Sequence, residues 1–538
     1  MEEEAHDPPG EMAAAMPESQ ALWKPSANLW LIALSVMLPS IMEVLDTTMA
    51  NVALPQMAGS LSASQDEATW VLTSYLMSNA IVLPMTDWLC VRFGRKRFLM
   101  LCVALFTLAS AWCGIASSMP MLIVARVIQG AAGGGLIPLS QAILMESAPP
   151  AKRGLAMAVF GLGVVVAPVI GPALGGWLTD NYSWRWMFLI NLPVGVMAIV
   201  MCQAFVEDPP YLEEARKRSG AVDYIGFGFL AVWLGTLQVV LDKGQQEDWF
   251  ETTWICWFSA VSAVSMVAFI LWELRAKFPL VNLKIFCNRD FAIGTILMTL
   301  MGMVLYATIT LQPLFLQQLM GYSALDSGMT LSPRGIGAVV SMLLVGLLIG
   351  KVDSRILIAM GFLVMGVSSF QLAFINLDIT PANVSWPNVV MGLSLGLVFV
   401  PLNTAAMGSL AQELMGGASG ILNLMRNIGG SIGISVATTM LARDTQTHYN
   451  LMVGRINPSN HHFQTYLHGV TGFLAKSADP VLAQHKTFSL LQALLDQQAS
   501  LLAYLDNFQF MAWLCLVPLL GIIFMRRQRG VSGNISLH

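Results

Sequence analysis

Long apolar runs recur along the chain, and short polar segments separate them. A helix needs about 20 consecutive apolar residues to cross the hydrocarbon core of a bilayer. Fourteen runs fit this requirement, with cores at 29–55, 68–90, 98–117, 121–145, 154–178, 185–206, 223–241, 253–272, 291–315, 327–350, 355–376, 387–410, 416–441 and 508–525. The pattern therefore predicts an all-α integral membrane protein with 14 transmembrane helices.

Two charged segments divide these runs into groups of six, two and six. A weak repeat supports two equivalent halves, because RVIQG at 126–130 and NVVMG at 388–392 each precede a Pro-Leu pair. We expect the following units: a cytoplasmic tail at 1–27, an N-terminal six-helix bundle at 28–206, a cytoplasmic linker at 207–222, an inserted two-helix hairpin at 223–273, a second cytoplasmic linker at 274–289, a C-terminal six-helix bundle at 290–527 with a periplasmic loop at 443–506, and a cytoplasmic tail at 528–538.

Composition and charge agree with this organisation. Of the 538 residues, 56% are hydrophobic and only 11% are charged, whereas soluble domains carry about 25% charged residues. Most of the 28 Lys and Arg residues fall in alternate connections and near the two ends of the apolar region. Positive residues accumulate on the cytoplasmic side of membrane proteins, so both termini are predicted to be cytoplasmic.

Two carboxylates, Glu43 and Asp46, lie inside the first apolar run. Their spacing of three residues puts them on one helix face. A charge at this depth costs about 2.5 to 3.5 kcal/mol, so such residues usually face a protein interior or an aqueous cavity. Asp46 is our first candidate for proton coupling, with Glu43 and a nearby Arg126. Alternatively, Asp46 ties helices together by pairing with a buried arginine, and the two roles can coexist.

Other polar residues within the runs are candidates for a cargo cavity. Arg426, flanked by Asn423 and Asn427, forms a second polar cluster, although it could instead be a packing arginine satisfied by carbonyl groups. The full set of cavity candidates is Asn51, Tyr75, Asn79, Tyr306, Gln312, Asn423, Arg426 and Asn427.

The segment 443–506 is the one long polar stretch between runs, and it holds five of the seven histidines. A metal site there is conceivable, but ordinary polar loop histidines explain them better because no ligand spacing is present. We expect no metal and no cofactor. From about residue 480 to 507 the leucines recur at helical spacing, which predicts an amphipathic helix that something must cover.

Several motifs together resemble one known family. They are LDTTMANVALP at 45–55, RFGRK at 92–96, RVIQG at 126–130, GPALGG at 171–176, WRWMFLINLPVG at 184–195 and RNIGGSIG at 426–433. The set resembles the fourteen-helix drug:proton antiporters of the major facilitator superfamily, the EmrB/QacA type, and is most similar to the EmrB branch. The resemblance implies the major facilitator fold arranged as 6 + 2 + 6 helices.

The resemblance also implies roles for named residues. Asp46 would belong to the substrate and proton path, and Arg126 to coupling. The antiporter motif would comprise Gly171, Pro172, Gly175 and Gly176, and the gating loop Asp87, Arg92, Gly94 and Arg95. Two departures stand out. Asp87 occupies the usual glycine position of the gating motif while Val91 occupies its aspartate position, and Glu43 stands where a neutral residue is usual.

The expected function is proton-coupled efflux of hydrophobic drugs across a bacterial inner membrane by alternating access. The chain would be the transporter of a tripartite pump, with an EmrA-like periplasmic adaptor docked on 443–506 and an outer-membrane channel reached indirectly. Its other partners would be protons and the lipid bilayer, with no nucleic acid. We expect no enzyme, because GGSIG at 429–433 lies within an apolar run without a strand before it. The alternative is an exporter of one metabolite, such as a siderophore or an amino acid.

Overall fold

The computed structural model describes residues 25–149, 152–209, 223–276, 279–349, 351–408, 414–454, 461–476 and 479–525, and the single positions 410 and 456. The predicted tail at 528–538, most of the N-terminal tail (1–24) and most of the first linker (210–222) lie outside the described residues. The described part of the chain is built from helices.

The N-terminal half contains nine helices within the described residues: α1 Leu29–Ser60, α2 Gln65–Val82, α3 Thr86–Phe93, α4 Arg95–Gly114, α5 Met119–Gly133, α6 Leu136–Ser147, α7 Arg153–Asn181, α8 Trp186–Leu189 and α9 Asn191–Phe205. Local sequence explains their starts. Asn28 caps α1 through its side chain, and Ser64 with Glu67 forms a capping box at α2. The glycines after Gly133 divide the predicted fourth run into α5 and α6.

An inserted pair and the C-terminal helices follow: α10 Tyr224–Lys243, α11 Thr253–Arg275, α12 Arg289–Leu314, α13 Ala324–Leu331, α14 Pro333–Leu348, α15 Ser354–Leu372, α16 Pro381–Met407, α17 Met415–Val453, α18 His461–Leu474, α19 Pro480–Leu514 and α20 Val517–Ile523. A π-helical turn at Phe315–Leu319 follows α12. Pro333 starts a new helix after α13, because proline lacks the N–H that would continue the earlier one.

Twelve helical segments of the described chain are long and apolar enough to cross a membrane. The two predicted runs that are not among them are 68–90 and 416–441, which the structure forms as α2–α3 and α17. Both carry polar side chains at several positions, and a 3₁₀ turn at Leu83–Met85 interrupts the first of them. These helices pack against each other, so their polar character belongs to an interface between the two halves.

The same pattern of helix packing occurs in both halves. In the first, α1 packs on α7, α2 on α5, and α4 on both α5 and α9. In the second, α12 packs on α17, α14 on α16, and α15 on both α16 and α19. The contacts therefore support the internal repeat that the sequence indicates only weakly.

Two seams join the halves, which we call the N bundle (α1–α9) and the C bundle (α12–α20). Along one seam α7 packs against α13, α14 and α16. Along the other, α17 packs against α3 and α6, and the inserted helix α10 contacts both α2 and α17. The side chain of Ser431 on α17 donates to Gln238 on α10 at 2.9 Å, so the hairpin closes the side of this second seam.

The polar segment 443–506 is mostly helical rather than loop. Helix α17 continues without a break to Val453, and α19 begins at Pro480 and runs back into the C bundle, which confirms the helix expected from about 480 to 507. His448 on α17 contacts Asp506 on α19 at 2.7 Å where the two helices run side by side. The segment predicted as a periplasmic loop at 443–506 thus contains helices, and α17 extends past the end of its apolar run at 441.

Candidate functional site

Asp46 lies at the centre of a fully buried hydrogen-bond network inside the N bundle. Its Oδ2 accepts from Nη1 of Arg126 at 2.5 Å. Its Oδ1 accepts from Nε2 of Gln129 and from Nδ2 of Asn191, each at 2.8 Å. These donors come from α5 and α9, so the carboxylate joins three helices. The geometry matches the alternative in which Asp46 ties helices together through a buried arginine.

Hydrogen bonds and two aromatic rings hold Arg126 in place, although its Nη2 has no hydrogen-bond partner among the described residues. Its Nε donates to the carbonyl oxygen of Val71 at 3.1 Å, and Nη1 also donates to Oε1 of Gln129 at 2.9 Å. The guanidinium lies 4.2 Å from the ring centroid of Tyr75 and 5.5 Å from that of Phe188. Cation–π contacts and charge-assisted hydrogen bonds of this kind fix a guanidinium firmly. Arg126 is thus a rigid member of the N bundle.

Glu43 differs from Asp46 although it lies only one turn away. Its Oε1 accepts from Nδ2 of Asn79 at 2.9 Å, while its buried Oε2 has no hydrogen-bond partner among the described residues. The backbone of Ile137 on α6 and the positive charge of Arg426 on α17 both lie close enough to influence this carboxyl group electrostatically. Glu43 therefore faces the C bundle with one oxygen unsatisfied, whereas Asp46 is turned into the N bundle.

Arg426 presents the matching feature on the C bundle. The residue is 5% exposed, and its Nε is buried without a hydrogen-bond acceptor in the part of the chain that the structure describes. One turn earlier on α17, Nδ2 of Asn423 donates to Oε1 of Gln141 on α6 at 2.7 Å, and the hydroxyl of Ser419 donates to the same oxygen at 2.9 Å. Helix α6 is therefore the element over which Glu43 and Arg426 approach each other.

Close packing of α17 on α12 fixes the position of Arg426. A Cβ added at Gly302 would lie 3.2 Å from Cα of Arg426, and one added at Gly429 would lie 3.0 Å from Cα of Thr299. The two backbones thus touch along the RNIGGSIG motif. This is the reason for its glycines, and Gly430 likewise leaves room for the ring of Tyr306.

The C bundle has its own buried arginine, Arg334 on α14. Its Nε donates to Oδ1 of Asn388 at 3.0 Å and its Nη2 to Oε1 of Gln312 at 2.7 Å. No carboxylate pairs with it among the described residues. Gln312, a cavity candidate, is thus buried and accepts a hydrogen bond from Arg334.

The remaining cavity candidates fall into two groups. Tyr75 and Asn79 are buried and face the network of Glu43 and Arg126. Asn51 is exposed, and Tyr306 and Asn427 are half-buried. The candidates with access to open space therefore lie on α1, α12 and α17.

The gating loop is anchored inside the N bundle. Gly94 adopts a φ of +87°, which glycine tolerates and other residues rarely do, and allows the sharp turn into α4. Buried Arg95 pairs with Glu146 at the end of α6, and the backbone N–H of Lys96 donates to Asp208 at 2.8 Å. Arg92 is exposed, and the side chain of Asp87 lies outside the described residues.

The antiporter motif lies where α7 crosses α1. Buried Gly171 faces the side chain of Thr48, and a Cβ added at Gly175 would lie 3.0 Å from Cα of Met49. Pro172 lies inside α7, and Gly176 is buried. The motif thus brings α7 close to the stretch of α1 that follows Asp46.

Sequence reasoning missed several members of these networks: Gln129, Gln141, Glu146, Asn191, Arg334 and Asn388. Asn191, Gln129 and Arg334 interrupt apolar runs, and that interruption was the available signal. The amides were overlooked because an uncharged side chain costs less to bury than a carboxylate and so draws less attention in a sequence.

Comparisons with known proteins agree with this architecture. The profile of the Major Facilitator Superfamily matches residues 36–434. The multidrug export protein EmrB of Haemophilus influenzae is 34% identical over 498 residues, covering 92% of this chain and 95% of that protein. The fatty acid resistance protein FarB of Neisseria gonorrhoeae is 35% identical over 512 residues, covering 95% and 98%.

A solved structure extends the agreement to three dimensions. The proton:xylose symporter XylE superposes with a TM-score of 0.59 at 14% identity, covering 93% of this chain and 97% of that one. At this identity the similarity shows a shared fold and carries no information about cargo.

Proposed function

Because this chain belongs to the EmrB type of multidrug export proteins in the Major Facilitator Superfamily, we propose that it expels lipophilic toxic compounds in exchange for protons. The chain is a multi-pass membrane transporter and not an enzyme. One observation carries the proton-exchange part of the proposal: the buried carboxyl group of Glu43, which faces the opposite bundle with an oxygen that lacks a hydrogen-bond partner in the described chain.

We further propose fourteen spans arranged as six, two and six, in a bacterial inner membrane with both termini in the cytoplasm. The packing of α2–α3 against α17 supports this count, because both helices lie among spanning neighbours. The inserted hairpin is then α10–α11, and the asymmetry of Lys and Arg sets the orientation. The domain limits are those expected from the sequence, with the bundles meeting at α6, α7, α14 and α17.

In this mechanism the bundles rock around Glu43 and Arg426. The seam is closed at α6, since every residue of α6 is buried and Gln141 is bonded to α17, and we assign this end to the cytoplasmic side. On α1 the exposure rises outward from Glu43 through half-buried Thr47 to exposed Asn51, which supports a polar path for protons from the outside. Protons and cargo would bind and leave alternately as the seam closes first on one side of the membrane and then on the other.

We assign proton exchange to Glu43, and positioning of α1, α5 and α9 to the pair of Asp46 and Arg126. An antiporter requires the proton and the cargo to compete, so the exchanging group must be able to lose its present partners. Glu43 has one hydrogen bond to an amide, whereas Asp46 has three donors, one of them charged. Exchange is therefore easier at Glu43 than at Asp46.

The test is export of a fluorescent lipophilic dye from cells, with and without a proton uncoupler. We expect the uncoupler to stop export by the unmodified chain, and Glu43→Gln to remove the uncoupler-sensitive part at equal protein amount. Glu251→Gln, an exposed acid on the hairpin, is the matched control. Export that survives the uncoupler would rule out proton exchange, and a fully active Glu43→Gln would return the role to Asp46.

We propose that a periplasmic adaptor of the EmrA type docks on the outer ends of α17 and α19 and on α18, and leads indirectly to an outer-membrane channel. Exposed apolar side chains support this, among them Leu451, Phe473 and Phe488. Phe473→Ser with Phe488→Ser should abolish capture of the adaptor, while Trp386→Ser, exposed elsewhere, should not. Capture that is unchanged in the double variant would place the adaptor elsewhere.

A second candidate is export of fatty acids or another single metabolite. It rests on the 35% identity, over 95% of this chain, with the fatty acid resistance protein FarB. Competition of chemically unrelated dyes for one site would argue against a single metabolite.

A further inference from the structure

Two buried, unsatisfied groups of opposite charge come from opposite bundles. Glu43 supplies Oε2 from α1, and Arg426 supplies Nε from α17. Most buried polar atoms in proteins have hydrogen-bond partners, so unpartnered atoms of two charged residues at one seam need an explanation. Their charges act on each other, but no hydrogen bond joins them in the described chain.

Helix α6 brings the two groups to one level. The backbone of Ile137 lies close enough to Glu43 to influence its carboxyl group electrostatically. Gln141 lies one turn away on the same face of α6, and it accepts a hydrogen bond from Asn423. Arg426 follows Asn423 by three residues on α17. Side chains on a helix lean toward its N-terminus, so the guanidinium of Arg426 leans back toward the level of Asn423.

We propose that this pair of groups is the recognition site for a zwitterionic amphiphile, whose ammonium group binds Glu43 and whose carboxylate binds Arg426. The inference rests on the proposed function, because it names the class of cargo that the seam between the bundles would hold. A compact head with both charges a few atoms apart, attached to an apolar chain or ring, fits the site best.

Charge balance favours a zwitterion over a singly charged cargo. A cation on Glu43 would leave Arg426 without its counter-charge, and an anion on Arg426 would do the same to Glu43. Removing one partner of a buried pair is costly because it leaves an uncompensated charge. A zwitterion enters between the two groups, satisfies both unpartnered atoms and leaves the net charge of the seam unchanged.

Competition with protons also favours this class. Glu43 must be ionised to hold an ammonium group, so a proton on Glu43 excludes the cargo, as antiport requires. An anion bound to Arg426 would instead favour a protonated Glu43 and would move together with the proton. The titratable or charged groups that act on Glu43 are Asp46 on α1, Tyr75 on α2, Cys102 on α4 and Arg426 on α17.

The test measures binding to the purified full-length protein in lipid nanodiscs, with no proton gradient. Four matched ligands displace a fluorescent dye: N-dodecylglycine (zwitterion), its ethyl ester (cation), N-dodecanoylglycine (anion) and the ethyl ester of the latter (neutral). We expect the unmodified protein to prefer the zwitterion by about tenfold or more over each singly charged ligand, because each charge gains a charge-assisted contact.

Variants then assign each charge to its residue. Glu43→Gln should lower zwitterion affinity to that of the anion, and Arg426→Gln should lower it to that of the cation. Glu251→Gln and Arg275→Gln, exposed on the hairpin, are matched controls and should change nothing. The exchanged double variant Glu43→Arg with Arg426→Glu should keep the preference for the zwitterion, which also shows that the seam remains folded.

Equal affinity of the unmodified protein for the zwitterion and the neutral ligand would overturn the inference. Loss of all four ligands to the same extent in Glu43→Gln would do so too, since that is what a general packing defect produces. Neither result depends on transport, so the inference can fail while uncoupler-sensitive dye export still supports the proposed function. Conversely, failure of export with the binding pattern intact would leave the recognition site standing.

Discussion

Arg126 lies inside the N bundle and Arg334 inside the C bundle, and both are almost completely buried. Arg126 pairs with the carboxylate of Asp46, whereas Arg334 has only the amide oxygens of Gln312 and Asn388. The N bundle therefore neutralises its buried charge, and the C bundle solvates its charge with dipoles. The repeat has kept the helix packing of the two halves but not their electrostatics.

The position of the arginine also differs between the halves. In the sequence repeat, Arg126 corresponds to Asn388, and the C-bundle arginine lies instead on α14, the counterpart of α2. Each arginine nevertheless joins the same three helices of its half, those equivalent to α1, α2 and α5. A polar link among these three helices is thus a shared requirement, which different residues meet in the two bundles.

The largest difference should appear when each arginine is removed. Arg126→Gln leaves the carboxylate of Asp46 buried without its counter-charge, which costs roughly 3 to 5 kcal/mol. Arg334→Gln leaves neutral amides that can rearrange, at a cost of about 1 to 3 kcal/mol. Thermal unfolding in nanodiscs should rank the two in that order, with Arg275→Gln as control. Equal losses would mean that an acid outside the described residues neutralises Arg334.

A smaller difference concerns glycine packing. Gly302 meets the backbone of Arg426, which cannot move away, whereas Gly171 meets Oγ1 and Cβ of Thr48, of which only Oγ1 can rotate away. Gly302→Ala should therefore destabilise the C bundle by about 1 to 3 kcal/mol, and Gly171→Ala the N bundle by less. Gly59, with open space around it, is the control. The idea fails if Gly171→Ala proves the more damaging change in thermal unfolding.

The smallest expected difference is in the pH dependence of two polar contacts, one on each bundle. Hydrogen bonds from Ser26 lower the pKa of Glu207. The stability that this contact contributes to the N bundle is therefore present above the unfolded pKa and is lost as the pH falls through the folded value. On α17, burial and then the charge of Asp506 raise the pKa of Asp444, so its contribution is full at low pH and is lost as the pH rises through the folded value.

Acidification should thus loosen the contact of Glu207 and tighten α17 against α19. Hydrogen exchange compared at pH 7 and at a pH below 4.5, the ordinary pKa of Glu207, and corrected for intrinsic rates, measures both regions. Protection that changes in the same direction at both would contradict the assignment.

The hydrophobic pattern was sufficient to predict nearly every helix, because an apolar run of 20 residues has few alternatives in a membrane. It did not report that α17 and α19 stay helical through the polar sequence after 441. Their pairing depends on residues 58 positions apart, as between His448 and Asp506, and no local pattern reports such a distance.

The candidate site was predictable in part. The depth of Glu43 and Asp46 follows from their apolar flanks, and Arg426 from its place in a run. The pairing of Asp46 with a buried arginine was one of two open alternatives, and its amide partners did not follow, because Gln129 and Asn191 lie more than 80 residues away on α5 and α9. The hydrogen bond between Gln312 and Arg334 did not follow either, since the two residues lie on different helices.

Helix α17 has 39 residues and is therefore about 58 Å long, well beyond the roughly 30 Å needed to cross the hydrocarbon core. Its inner part holds Arg426 at the seam, and its outer part ends near exposed Leu451, on the surface that we propose for docking of the adaptor. A small rotation of this helix at the seam therefore becomes a large displacement of its far end. A tilt of about 10° at the seam would move a point 40 Å away by about 7 Å, as the geometry of a rigid helix requires. Docking an adaptor on that tip would oppose the tilt, so a bound partner could hold the seam in one position from outside.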